Sequence, residues 1–102
     1  MAVKVAQKSS YELTFITKPS LREDDLRQII EQIENSIKNF GGTINELNEP
    51  NLRKLAHKIK GFHEGNYVSI QFNSPPEVPN TINKSLSIND NVLRLMILRK
   101  EN

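Results

Sequence analysis

The residues that could do the most chemistry lie in one run, NLRKLAHKIKGFHEGNYVSIQF, Asn51 to Phe72. Its first half carries Arg53, Lys54, Lys58 and Lys60, and both histidines of the chain, His57 and His63, fall inside it. Cations this closely spaced neutralise phosphates and release counterions, and an Arg can fork onto two phosphate oxygens at once. On charge alone these residues read first as the solvated face of a strand, with a grip on a polyanion as the second reading. Residues 51–102 hold eight Lys/Arg against four Asp/Glu, whereas residues 1–50 hold six against eight. The +2 net charge of the chain therefore hides a basic second half, with Arg94, Arg99 and Lys100 as its other concentration.

The inventory argues against catalysis. There is no cysteine, which removes thiolate metal sites, disulfides and cysteine nucleophiles together. His57 lies in an alternating stretch and His63 in an expected turn, so one half-buried and one solvent-facing histidine are expected. No Asp or Glu stands at a spacing that would build a triad or a metal site with both. Glu23, Asp24 and Asp25 form an acidic group, but their place at a helix start explains them more simply. We expect no enzyme, no metal and no cofactor.

The elements that must position the basic run follow from periodicity. A chain of 102 residues, 36% apolar and 25% charged, is one folded domain with no membrane-length apolar run and no signal peptide. MAVKVAQKSS reads as a flexible leader over 1–10 or a short strand extension, and 101–102 as a tail to a domain spanning 11–100. Tyr11 to Ile16 alternates, with Tyr11, Leu13 and Phe15 on one face. After Pro19, Ser20 and Glu23 have the spacing of a capping box. Leu26, Ile29, Ile30, Ile33, Ile37 and Phe40 then follow a single helical stripe, which Gly41 and Gly42 end.

An extended stretch over Thr43–Leu47 and Leu52–Lys60, interrupted by NEPN, is paired across a turn at Gly61–Gly65 with a strand from Asn66 to Asn73. Pro50 implies an irregularity or an edge strand. Leu55, Ile59, Val68, Ile70 and Phe72 are the expected core of this hairpin. Glu77 to Leu86 has Val78, Ile82 and Leu86 spaced by four, with Pro79 tolerated in the first turn. Val92 to Lys100 is a last strand, with Leu93, Leu95 and Ile97 facing the helices and Arg94, Met96 and Leu98 on the open face.

The order is β-α-β-β-α-β, and its economical packing is an α+β, ferredoxin-like sandwich: a four-stranded antiparallel sheet with both helices on one face. That fold hosts many functions. An acylphosphatase-type anion cradle would need glycines after the first strand, where this chain has TKPSLRE. An RNA-recognition-motif sheet would need aromatics recurring on the open face, yet Phe72 shares parity with Val68 and Ile70 and only Tyr67 lies on the other side.

Four stretches carry a family resemblance: YELTFITKPSL, NFGGTI, the whole Asn51–Phe72 hairpin, and LSINDNVLRLMILRK. Over residues 11–100 the chain resembles the bacterial-type small ribosomal subunit protein six family, which also occurs in organelles. That family usually writes its hairpin glycine, leucine, basic, basic, leucine, alanine, tyrosine, proline, isoleucine. Leu52, Arg53, Lys54, Leu55, Ala56 and Ile59 keep the pattern, while Asn51, His57 and Lys58 replace its glycine, tyrosine and proline. The resemblance implies a non-catalytic, ferredoxin-like constituent of the small subunit, on a cytoplasmic or organellar ribosome. It also implies binding to the central domain of small-subunit ribosomal RNA together with small-subunit protein eighteen, in support of assembly and translation, with no membrane and a monomer when free. Arg53, Lys54, Lys58, Lys60, Arg94, Arg99 and Lys100 are then the candidate contacts to RNA or partner. The other classes are an autonomous RNA-binding domain and a protein-interaction module on the same fold.

Overall fold

Alternation of apolar and polar residues builds the centre of the sheet. In a computed structural model that describes residues 8–100, the chain runs β1 (Ser9–Thr17), α1 (Glu23–Asn39), β2 (Thr43–Ile59), β3 (Phe62–Ser74), α2 (Glu77–Ser87) and β4 (Val92–Lys100). The strands form one antiparallel sheet in the order β2-β3-β1-β4. Leu13 and Phe15 of β1 and Val68, Ile70 and Phe72 of β3 are wholly buried against both helices, which lie on one face. The Tyr11 and Phe72 rings stack across these central strands at 5.5 Å. This is the ferredoxin-like arrangement the element order predicts.

The helix stripe fills the other side of the core. Leu26, Ile29, Ile30, Ile33 and Ile37 of α1 and Val78, Ile82 and Leu86 of α2 are all buried. Each such side chain contributes about 1.5–3 kcal/mol by leaving water. Phe40, expected to close the stripe, instead sits at the C-cap and is 57% exposed. Gly41 has φ +82°, and the Gly41 and Gly42 amides donate to the carbonyls of Lys38 and Ile37, a Schellman closure. The expected capping box does not form: the N-cap is Arg22, in extended backbone with no side-chain cap bond. The three acidic residues of the first turn face the helix dipole in its place.

Differences from the sequence reading concentrate in the hairpin and at its neighbours. β1 begins at Ser9, inside the stretch read as leader; the rest of that stretch up to residue 7, and the tail at 101–102, lie outside the described residues. β2 is one edge strand across NEPN, and a register shift between Asn48 and Asn51 marks Pro50. The turn is Lys60–Gly61 alone, both with positive φ (50° and 87°), as a two-residue type I′ loop requires. His63 and Gly65 are therefore strand residues, and both histidines are exposed.

Leu55 and Ile59 are only half-buried and do not join the core, because the helices do not reach that end of β2. Leu93 leaves the helix side as well. A shift between Ile16 and Thr17 sets Val92 opposite Thr17 and into the core, and leaves Leu93 beside Ile16 at Gly65.

Two outcomes follow. In urea unfolding, Ile70→Ala costs about 3 kcal/mol through the cavity it leaves, while Leu55→Ala costs less than about 1 kcal/mol because that side chain is outside the core. Equal losses would return Leu55 to the core. At the turn, Lys60 holds a conformation that burdens a Cβ-bearing residue, so Lys60→Asn raises stability by up to about 1 kcal/mol, read as a higher thermal midpoint. A lower midpoint would contradict the positive φ at Lys60.

Candidate functional site

The basic run is a projecting ribbon. β1 pairs with β3 only as far as Thr17 opposite Asn66, so from Gly65 to Phe62 β3 has β2 as its sole neighbour. The two strands continue beyond the four-stranded body, and the molecule measures 55 Å along its longest axis against 27 and 22 Å. A bare two-stranded ribbon is marginal in water, and here the root is anchored. Asn66 Nδ2 donates to the Lys18 carbonyl at 3.2 Å, Lys18 N donates to the Asn91 carbonyl at 3.0 Å, and Lys18 Nζ lies 6.0 Å from the Phe62 ring centre. Gly65 is buried at this root, where a Cβ would overlap the Ile16 methyl and crowd the Thr17 carbonyl.

The ribbon bends away from regular pairing. Between Lys54 opposite Glu64 and Ile59 opposite Phe62, five steps along β2 are matched by two along β3. The four residues Leu55 to Lys58 thus stand against His63 alone, a bulge with three residues in surplus. Lys58 occupies this bulge, so the bend persists with lysine at a position the pattern usually gives to proline. His57 lies exposed in the same bulge and takes no part in the core.

All seven candidate cations are exposed, and the fold divides them. Arg53, Lys54, Lys58 and Lys60 lie on the ribbon, with Arg53 and Lys54 on opposite faces. Arg53 stands over Tyr67 on the open face of the sheet, while Lys54 lies with Leu55, Phe62 and Glu64 on the helix side. Arg94, Arg99 and Lys100 lie on β4, the other edge, about 14 Å away by three strand spacings. Arg94 and Lys100 share the open face, whereas Arg99 borders a groove with Leu95, Ile97 and Pro79 on the helix side. Lys100 Nζ donates to Gln71 Oε1 at 3.2 Å, and Gln71 Nε2 donates to Glu46 Oε2 at 3.1 Å, so Lys100 is already engaged.

The structure thus gathers four of the seven on one projection and leaves three elsewhere. Sequence reasoning missed Lys18, a fifth cation at the ribbon root, although its place directly after β1 was the available signal. It also missed Tyr67 as the support of Arg53, a cross-strand relation that only the register reveals. Among the described residues, the one salt bridge joins Arg27 to Glu23 at 3.8 Å, so none of the seven is neutralised in that way. No group of three or more His, Asp or Glu among the described residues could hold a metal ion.

Comparison with known proteins identifies the family. The family model for ribosomal protein S6 matches residues 10–99. Small ribosomal subunit protein bS6 of Caldanaerobacter subterraneus subsp. tengcongensis is 38% identical over 92 residues, covering 90% of this chain and 97% of that protein. The bS6 protein of Bifidobacterium longum is 38% identical over 90 residues, covering 88% of this chain and 93% of its own. The crystal structure of 30S ribosomal protein S6 from Thermotoga maritima superposes with a TM-score of 0.84 at 24% identity, over 92% of this chain and 89% of that one, which supports the fold. This chain belongs to the ribosomal protein S6 family, structural proteins of the small ribosomal subunit and not enzymes.

Proposed function

We propose that the protein binds the central domain of small-subunit ribosomal RNA jointly with small-subunit protein eighteen, and so supports assembly of the subunit and translation on the cytoplasmic ribosome. The observation that carries this reading is the cationic ribbon. Arg53, Lys54, Lys58 and Lys60, with Lys18 at the root, face a single acidic ribbon residue, Glu64. The ribbon also extends past the body with no helix covering it. Such a projection can lie along a phosphate backbone without disturbing the buried core of the body.

The division of charge supports a partner. The whole chain carries only +2, too little to hold RNA firmly by counterion release alone. A basic protein bound beside it would supply the missing cations. Arg94, Arg99 and Lys100 on the far edge then serve the partner or a second stretch of RNA. The free protein is a monomer on this reading. Its two edge strands carry Arg and Lys, and β2 adds Pro50 and three register shifts, features that discourage edge-to-edge pairing.

Titration of a central-domain RNA fragment with and without protein eighteen, over a series of salt concentrations, tests the proposal. Binding is expected to be tight only with the partner present. The ribbon's share of the logarithmic salt slope is about −3, from four phosphate contacts. Equal binding without the partner would make the protein an autonomous RNA-binding module. No binding in either condition would point to a protein-interaction module.

A further inference from the structure

Arg53 differs from the other exposed cations in how its charge is held. Its guanidinium carbon lies 5.3 Å from the centre of the Tyr67 ring, across the β2–β3 pair. A guanidinium resting on an aromatic face is restricted in its rotamers while its N–H edges stay free, so it can fork onto an anion without first being ordered. Lys54, Lys58 and Lys60 have no comparable aromatic support among the described residues. Arg53 and Tyr67 also border a shallow groove of about 680 Å³ on the open face of the sheet.

The rest of that groove is lined by groups suited to a nucleoside. Thr14, Asn48, Asn51 and Ser69 present hydroxyls and amides into it. None of these four takes part in the side-chain hydrogen bonds found among the described residues. Glu49 is the one acidic residue of the lining, and it repels phosphate from its own side of the groove. Anion-binding capacity is thus confined to the Arg53 side, with neutral donors and acceptors beside it.

The geometry points to a nucleotide-docking site on the open face, resting on the RNA-binding reading above: Arg53 forks onto a phosphate of the RNA strand, and Asn48, Asn51, Ser69 and Thr14 hydrogen-bond the adjoining sugar or base. Arg53 covers the Tyr67 ring, so the base does not stack there. Tyr67 is a positioning residue that acts through Arg53, which separates this site from the aromatic platform of an RNA-recognition motif. The site also gives the ribbon's cations unequal roles. Lys58 and Lys60 supply charge that any phosphate can use, whereas Arg53 fixes where one nucleotide sits.

The test uses the full chain, protein eighteen and the central-domain RNA fragment, with dissociation constants and salt slopes measured for four variants whose thermal midpoints are recorded alongside. Arg53→Lys keeps the charge but loses the fork, so it weakens binding about tenfold with the salt slope unchanged. Tyr67→Leu releases the guanidinium and weakens binding about three- to fivefold, again without changing the slope. Tyr67→Phe keeps the ring face and binds like the parent protein. Lys58→Ala, by contrast, lowers the slope by about one phosphate's worth. If Arg53→Lys and Tyr67→Leu both bind within twofold of the parent, the docking site is overturned while the RNA-binding function stands. If Tyr67→Phe is as weak as Tyr67→Leu, the ring face is not what matters and the positioning role falls. If the parent protein itself does not bind, the underlying reading fails and this site fails with it.

Discussion

The pairing of β1 with β3 is the constraint on which the rest of the molecule depends. It is the one strand pair without a register shift, running from Ser9 opposite Ser74 to Thr17 opposite Asn66. A slip of one residue would turn either Leu13 and Phe15 of β1 or Val68, Ile70 and Phe72 of β3 from the core to the open face. Because those five side chains are completely buried, the register is fixed by the largest favourable term the fold has. The two helices close over this surface, and the edge strands take their places around it.

The same pairing decides where the body ends and the ribbon begins. β1 stops at Thr17, but β3 and β2 continue, so everything beyond Asn66 lacks a third strand and a helix above it. That end of the hairpin has no hydrophobic reason to be apolar, and its exposed positions carry the chain's densest positive charge. The buried apolar side chains and the exposed cations therefore lie on different parts of the chain. The body holds the fold through buried aliphatics, and the ribbon and open face offer cations and free polar groups at modest energetic consequence. Under the proposed function, such a division lets the protein present charge to RNA without disturbing its own core.

Much of this was legible in the sequence, for reasons that differ by element. The α1 stripe and the β1 and β3 alternations could be read directly, since each buries a face against the core and periodicity records that burial. Leu55 and Ile59 misled because they alternate like core residues, yet burial depends on whether a helix reaches them, which local pattern does not encode. Ser20 and Glu23 had the spacing of a capping box, but the chain enters α1 from a turn at Lys18–Leu21 that places Arg22 at the cap. Gly65 read as a turn residue because glycine usually marks one; here its missing Cβ instead makes room for Ile16. Leu93 moved because a bulge shifted β4 parity by one. The candidate cations could be named, but not sorted: only the strand order separates the ribbon group from Arg94, Arg99 and Lys100, and only the register brings Arg53 to Tyr67.

On the function proposed above, the ribbon grips RNA while the body folds without it. Removing the ribbon beyond Arg53 and Gly65, with a two-residue Asn-Gly turn joining the shortened strands, tests this most directly. The measurement is affinity for the RNA fragment in the presence of protein eighteen, set beside the free energy of unfolding of the same variant. The expected result is a cooperatively folded protein within about 1 kcal/mol of the parent, with affinity reduced by about two orders of magnitude as three lysine–phosphate contacts are lost. Unchanged affinity in the shortened protein would contradict it, and would move the grip to the open face or to the β4 edge.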